Sequence, residues 1–531
     1  MSKYQPKTKP FRHQQEEWEH SRDMPYRAIL WEQGTGKTKL TLDTVGHQYL
    51  EGNVDGLLVV APNGVHRNWL SDEIPTHLPE DILAQTLGHV YHSKRAGTKW
   101  HKQAVEDVIN HKGLAVLCIS YDAFMTKAGK EAVRDFLWKR KTFYVLDESS
   151  RVKNPSAKRT KSIVASGKYA PFRRILNGTP VSNGPFDVFS QVKFLDEHYW
   201  HQHELGSFLI FKQHFGIWKR VQLKELDSRG RPREFDKLVD YRRLEELSGL
   251  LAPIASRVTK EDVLDLPPKL YSKRYVELTP QQERLYEQLR KDFMAFLNSG
   301  EDCGPCGGSG WIEYEGVEAP CVDCDGTGKE QGGMVTAPLA ITRLLRLQQV
   351  VCGYIPVETF EEGKTPELQD VPGGNPRIEL LGEIAEDLSS PFIVFARFVR
   401  DIDLIMEKLE SLGIPAVRYD GSTGPEERAE AIQAFQKDGT AKAFVANTAV
   451  AAEGLTLHAA KTVVYYSNDF MLAKRLQSED RAHRIGQEHP VQYIDIVAPG
   501  TIDEHIVDAL RKKFDVATRI TGDKLKEWLH E

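Results

Sequence analysis

Ten short apolar runs, in two groups of five, constrain this chain more than any other feature. The first group is "AILW", "GLLVV" (56–60), "LAVLCISY" (114–121), "FYVLDE" (143–148) and "RRILNGT" (173–179), separated by stretches with helical patterning. Runs this apolar offer no face to water, so they read as strands covered on both sides. Strands separated by helices make a parallel sheet with right-handed crossovers. The rhythm resumes from about residue 391 with "PFIVFARF", "PAVRYDG", "KAFVANT", "KTVVYYS" and "VQYIDIV". The expected fold is α/β with two parallel-sheet lobes, one over 1–180 and one over 378–531. Between them, 181–356 reads as a mostly helical insertion region, and 357–377, acidic and rich in Pro and Gly, as a linker.

The end of the first strand leads into a phosphate-binding signal. At 31–38 the chain reads "WEQGTGKT" and continues into "KLTLDTVGHQYL", whose leucines and valine share one side of a helix. In such a loop, Gly34, Thr35 and Gly36 let backbone N–H groups close around phosphate oxygens, Lys37 reaches the outer phosphates and the Thr38 hydroxyl ligates magnesium. The first glycine of the full eight-residue pattern is replaced by Trp31, so the loop matches the relaxed form. The second signal is "FYVLDESS", in which Asp147 and Glu148 emerge at the carboxyl end of a strand. Open parallel sheets collect ligands at that edge, which is also the edge of the Lys37 loop. Asp147 is placed to hold magnesium, and Glu148 to orient and deprotonate the water that attacks a γ-phosphate. Together the two motifs predict ATP hydrolysis, with Gln14 in "FRHQQEEW" as a reader of the adenine edge.

Composition limits what else the chain can be. Hydrophobic residues at 40% and charged residues at 27% of 531 are ordinary for a soluble globular protein. No apolar run approaches the length of a membrane span, and "MSKYQPKTKPFRH" lacks the core of a signal peptide, so a cytosolic chain without membrane attachment is expected. The net charge of −6 leaves nucleic-acid binding to local patches. One candidate is "RVKNPSAKRTK" (151–161), with five basic residues and no acids, in which Arg151 and Lys153 are the candidate contacts.

The motif order resembles the superfamily-two helicase-like ATPases, and within them the Swi/Snf-type DNA translocases. The pieces are "FRHQ", "WEQGTGKT", "LLVVAPNGVHRNW", "ISYDAF", "VLDESSRVKN", "ILNGTPVSNGPFDVFSQVKFLD", "LLAPIASRVTKEDVLDLPPKL", "FIVFARF", "YDGSTGPEER", "AAEGLTL" and "RAHRIGQ". They cover nearly the whole chain outside 300–335. The resemblance implies two RecA-like lobes with ATP between them. It turns Arg484 and Arg481 of "RAHRIGQ" toward the γ-phosphate when the lobes close, and puts Gly454 among the nucleotide contacts and Thr448 among the nucleic-acid contacts. It also implies movement along double-stranded DNA, read mostly through phosphates. The sequence departs from the family at Ser149 and Ser150, where Ala or Gly and then His are usual, at Asn177 for Thr, and at Ala449, Ala451 and Ala452.

A separate feature interrupts the resemblance. Cys303 and Cys306, then Cys321 and Cys324, form two CxxC turns with the spacing of a closed tetrahedral zinc site. The halves "CGPCGGSG" and "CVDCDGTG" also resemble the DnaJ cysteine-rich repeat, and a disulfide does not suit a reducing cytosol. Thr279, Pro280 and Gln282 predict a capped helix before this zinc knob (300–330), with Leu285, Leu289 and Phe293 on one face, and "LAITRLLRLQQVV" predicts a second helix after it. Cys118 and Cys352 read as core thiols. Two further readings fit parts of the sequence: a helicase that separates or anneals strands or acts on RNA, and a zinc-stabilised nucleic-acid-binding scaffold without hydrolysis. The presence of Lys37, Asp147, Glu148 and Arg484 disfavours the scaffold. The compact chain, without histone-reading flanks, resembles bacterial or bacteriophage members, so a monomer in the cytoplasm of a bacterial or phage-infected cell is expected.

Overall fold

Side-chain alternation builds the first sheet. Ala28 and Leu30 fall into one core layer, Ile29 and Trp31 into the other, and Leu58 and Val60 part from Leu57 and Val59 in the same way. Each such fully buried Val or Leu contributes about 1.5–3 kcal/mol over leaving it in water. A computed structural model describes residues 4–226, 232–292, 294–302, 306, 309, 311–314, 317–320, 329–336, 340–357, 367–448 and 455–523. Its contacts divide into two units: Met1–Leu266 with Met471–Asp480 and Arg511–Glu527, and Pro267–Phe470 with Arg481–Leu510 and Trp528–Glu531.

In the first unit the sheet strands are β1 (Tyr26–Ile29), β2 (Gly56–Ala61), β3 (Thr86–Val90), β4 (Leu114–Ser120), β5 (Thr142–Asp147), β6 (Phe172–Leu176) and β7 (Ala255–Ser256). They run in the order β3-β4-β2-β5-β6-β1-β7, and every neighbouring pair is parallel. β2 and β4 are buried along their whole length, as continuous apolar runs require. β3 and β7 escape the reading from sequence because they are edge strands: "TLGHV" is only partly covered, with Leu87 exposed and His89 alone buried, and Ala255–Ser256 is two residues long.

The second sheet repeats the design with β8 (Lys269–Tyr275), β9 (Phe392–Ala396), β10 (Ala416–Tyr419), β11 (Ala443–Asn447), β12 (Thr462–Tyr465) and β13 (Val491–Val497), in the order β8-β13-β12-β9-β11-β10. All of its pairs are parallel as well. Among the described residues, no helix is long and apolar enough to cross a membrane.

Residues 181–356 are not the mostly helical region expected. β7 completes the first sheet and β8 the second, and Gly216–Leu226 pairs antiparallel with Pro232–Tyr241 in a hairpin. Two further segments next to the cysteines, Met294–Asp302 and Lys329–Thr336, also pair antiparallel. Helical spacing misled here because edge and ribbon strands mix polar and apolar residues, which blurs the period of two. The flanking helices do form. Pro280–Asp292 opens with the predicted box, Thr279 N–H to Gln282 Oε1 at 2.9 Å and Gln282 N–H to Thr279 Oγ1 at 3.2 Å, and buries Leu285 and Leu289; Phe293 lies outside the described residues. Ala340–Val351 is the second helix. The expected linker is built in at both described ends: Glu367–Asp370 pairs with Tyr354–Val357, and Asn375 caps the helix Pro376–Asp387.

Candidate nucleotide site

The loop after β1 is held from three sides before any ligand arrives. Gly34 and Gly36 take φ values of +83° and +86°, a region that a side chain resists, and Gly36 leads directly into α2 (Lys37–Leu50). A Cβ at Gly36 would also lie 1.9 Å from Gln14 Nε2. Gln14, on α1 (Arg12–Ser21), is buried and donates to the Thr35 and Gly36 carbonyls at 3.3 and 3.4 Å, while its Oε1 accepts from the Phe11 N–H at 2.9 Å. Its amide is therefore engaged in shaping the loop. His13 meets the Thr35 carbonyl at 2.9 Å, and the Thr35 hydroxyl donates to Glu32 O at 2.8 Å.

Lys37 Nζ donates to the carbonyls of Trp31 and Glu32 at 2.9 and 3.1 Å. Burial pushes its pKa down, and the nearby Glu148 and Asp147 carboxylates act against that fall. The Thr38 hydroxyl has no hydrogen-bond partner among the described residues, at the first turn of a 14-residue helix whose leading N–H groups attract anions. The donor set therefore suits a magnesium-bound polyphosphate: a buried ammonium beside a carboxylate, helix N–H groups, and a hydroxyl with no hydrogen-bond partner among the described residues.

That carboxylate is Asp147, the last residue of β5. Burial raises its pKa; the Trp69 indole N–H, donating at 2.9 Å, Lys37 and the Glu148 N–H at 3.0 Å oppose the rise. Tyr121 O–H donates to the Asp147 carbonyl at 2.8 Å. Glu148 follows at φ +52°, a left-handed conformation that costs a non-glycine residue on the order of 1–3 kcal/mol and turns the carboxylate off the strand. Gln33 of the loop donates to Glu148 Oε1 at 3.1 Å, so the two motifs meet directly at one edge of the sheet. Neither Trp69 nor Gln33 is singled out by the sequence. An indole 78 positions from its carboxylate carries no local signal.

The departures at 149 and 177 occupy one buried network. Ser149 O–H donates to Gln191 Oε1 at 2.6 Å, and Asn177 Nδ2 reaches both Ser149 Oγ and Gln191 Oε1 at 3.3 Å. Serine and asparagine at these positions thus satisfy each other through a glutamine on the helix Val188–Leu195. Arg257, also unmarked by the sequence reading, donates to Leu30 O at 2.5 Å and Gly178 O at 3.2 Å, tying the ends of β1 and β6 together.

The remaining predicted residues lie elsewhere. Arg481 and Arg484 belong to the second unit, where both guanidinium groups donate to Leu455 O, at 3.3 and 3.0 Å. Thr448, just after β11, is buried, and Gly454 lies outside the described residues, as do Ala449, Ala451 and Ala452. Lys153 is tied to Ser182 Oγ at 2.6 Å and Asp187 at 3.5 Å, so of the two candidates in the basic run only the exposed Arg151 is without an ion pair among the described residues. Of the four clustered cysteines, Cys306 alone is described; Cys303, Cys321 and Cys324 lie outside the described residues. Among the described residues, no cluster of three or more His, Cys, Asp and Glu side chains is arranged to hold a metal ion. Cys118 and Cys352 are buried as expected, and burial pushes the Cys118 thiol up to about 12.

Comparison with known proteins adds an independent line. The model of the SNF2-related domain matches residues 16–304, and that of the helicase conserved C-terminal domain matches 377–486. The TATA-binding protein-associated factor BTAF1 of Arabidopsis thaliana is 26% identical over 522 residues, covering 92% of this chain and 24% of that protein. The probable chromatin-remodeling complex ATPase chain of Oryza sativa subsp. japonica is 24% identical, covering 91% of this chain and 38% of the relative. A human SWI/SNF-related matrix-associated actin-dependent regulator of chromatin, subfamily A member 1, is 25% identical, with 90% and 40% covered. The chain thus spans 24 to 40% of the length of these relatives. The Sulfolobus solfataricus SWI2/SNF2 ATPase core in complex with dsDNA aligns over 99% of both chains at 20% identity, with a TM-score of 0.39.

Proposed function

Since the chain belongs to the SNF2-related domain family, we propose that it is a DNA-dependent ATPase that moves along duplex DNA as a helicase-like translocase. The observation that carries this reading is the 3.1 Å contact between Gln33 of the phosphate loop and Glu148 of the carboxylate pair. It brings a cation, a helix N-terminus and two acids to one sheet edge. In this reading the loop amides and Lys37 hold the phosphates, exchanging the Trp31 and Glu32 carbonyls for phosphate oxygens. Thr38 and Asp147 would hold magnesium, which would supply positive charge to offset the charge developing on the phosphates. Glu148, turned off the strand, orients the attacking water and takes its proton. Arg484, with Arg481, would supply charge to the γ-phosphate, and arginines in that role contribute about 10³ to 10⁵ in rate.

The zinc reading belongs here as well. Two CxxC turns at 303–306 and 321–324 support a structural zinc, which in small modules supplies on the order of 10 kcal/mol of folding free energy. Metal analysis of the purified chain should find one zinc per molecule, released by replacing Cys303 and Cys306 with Ser; a zinc-free wild-type chain ends this reading.

The deciding experiment measures ATP hydrolysis with duplex DNA, single-stranded DNA and RNA, on the wild type and on Arg484→Ala. Duplex DNA should stimulate most, and the variant should lose at least about 10³-fold while still binding ATP. Stronger stimulation by RNA or single strands would replace the translocase with an RNA or strand-separating helicase.

A further inference from the structure

The hairpin Gly216–Leu226 and Pro232–Tyr241 belongs to neither large sheet and, among the described residues, has no further strand beside it. A lone two-stranded ribbon is marginal in water, so something must hold its base. Trp218 does so: its indole donates to Lys212 O at 3.0 Å and stacks on Phe186 at 6.1 Å, while Tyr241 O–H reaches Asn183 O at 3.0 Å. Trp218 pairs with Leu238, and the next pairs on that face are Arg220 with Asp236 and Gln222 with Glu234. That anchored face settles its own charges. Arg220 lies 3.6 Å from Asp236 and 3.8 Å from Glu234, and Gln222 donates to Glu234 at 2.8 Å.

The other face is built in the opposite way. Lys219 stands directly across from Lys237, and the adjoining pair is Val221 with Phe235. Both lysines and Phe235 are exposed, Phe235 at 45%, and neither lysine makes an ion pair or hydrogen bond among the described residues. Like charges directly opposed across two strands destabilise the pairing. Of the described carboxylates of strand Pro232–Tyr241, Glu234 and Asp236 serve the anchored face, and Asp240, paired with Ile217 at the base of the hairpin, accepts from the Tyr241 N–H at 2.8 Å. An anion is the complement that this face lacks.

We propose that the Lys219/Lys237/Phe235 face of the hairpin is a second DNA contact, taking the backbone phosphates of the duplex. The inference rests on the translocase reading of the nucleotide site and deepens it. A two-stranded ribbon is the one β element that a major groove admits, the strand length of 11 residues reaches about 35 Å, and paired lysines can straddle successive phosphates. The phenyl ring lies against sugar carbons. Contacts of this kind add affinity and register without sequence preference.

The test is duplex binding by the full chain as a function of salt. Each phosphate neutralised contributes about 0.9 to the slope of log K against log salt, so Lys219→Gln with Lys237→Gln should lower the slope by about 2 and weaken binding at least about tenfold near 0.1 M salt. Lys219→Arg with Lys237→Arg should keep the wild-type slope, as should Arg220→Gln on the anchored face. Thermal melting of each variant separates a lost contact from a lost fold. A wild-type slope in the folded double-Gln variant overturns the inference and leaves the face to a protein partner. If wild-type ATP hydrolysis ignores duplex DNA altogether, it is the translocase reading that falls.

Discussion

Asp147 and Asp401 are both carboxylates that burial makes harder to ionise, and they do different things. Asp401, in the second unit, accepts from Ser467 O–H at 2.5 Å and Tyr354 O–H at 2.8 Å, with Cys352 Sγ at 3.9 Å, and its pKa is pushed up to about 6. No accessible surface remains on it. Asp147 has fewer protein donors, the Trp69 indole and one N–H, and stands beside the Lys37 ammonium at the edge where Gln33 links loop to strand. The comparison teaches that a shifted pKa marks burial, whereas a site needs burial together with an unfilled coordination demand and a neighbouring cation.

The largest effect should come from removing the charge at the candidate site. Asp147→Asn keeps the shape and the Trp69 contact, and should slow ATP hydrolysis by on the order of 10²-fold or more, because several kcal/mol of metal-assisted charge stabilisation are lost. Steady-state turnover at saturating magnesium reads this, and near-wild-type turnover would remove Asp147 from the mechanism. The same exchange at Asp401 should leave turnover alone and alter stability with pH. A carboxyl whose folded pKa is raised stabilises most below its unfolded pKa, near 3.9, and loses that contribution as pH rises through about 6. Wild-type stability relative to Asp401→Asn should therefore fall by about 3 kcal/mol between pH 4 and pH 7, measured by urea unfolding. A difference flat with pH would mean that Asp401 is ionised throughout. The smallest effect is expected at Trp69→Phe, which removes one donor from the Asp147 carboxylate at a cost of about 1.5–3 kcal/mol. It should weaken magnesium-dependent turnover and leave melting of the second unit unchanged; equal loss in both would make Trp69 a packing residue only.

How much of this was legible depends on whether the signal was local. The candidates Lys37, Thr38, Asp147 and Glu148 can be picked out of the sequence because the chemistry proposed for them needs a glycine turn, an amine and carboxylates at strand ends, all encoded within a few neighbouring residues. The buried strands β2 and β4 were legible because full burial demands unbroken apolar runs. Gln14 was read for adenine, yet its amide is occupied by the loop. The lysine face of the hairpin was hidden within a region read as helical, since the opposition of Lys219 and Lys237 exists only once the register is set.

Composition and spacing by themselves determined two parallel α/β sheets and marked out a glycine-rich loop and an acid pair at strand ends, because apolar period and motif spacing are properties of neighbours along the chain. Tertiary structure alone decided that Trp69 and Tyr121 hold Asp147, that Gln33 meets Glu148, and that Ser149, Asn177 and Gln191 satisfy one another. Those partners lie tens of residues apart, and a hydrogen bond senses distance in space rather than separation in sequence.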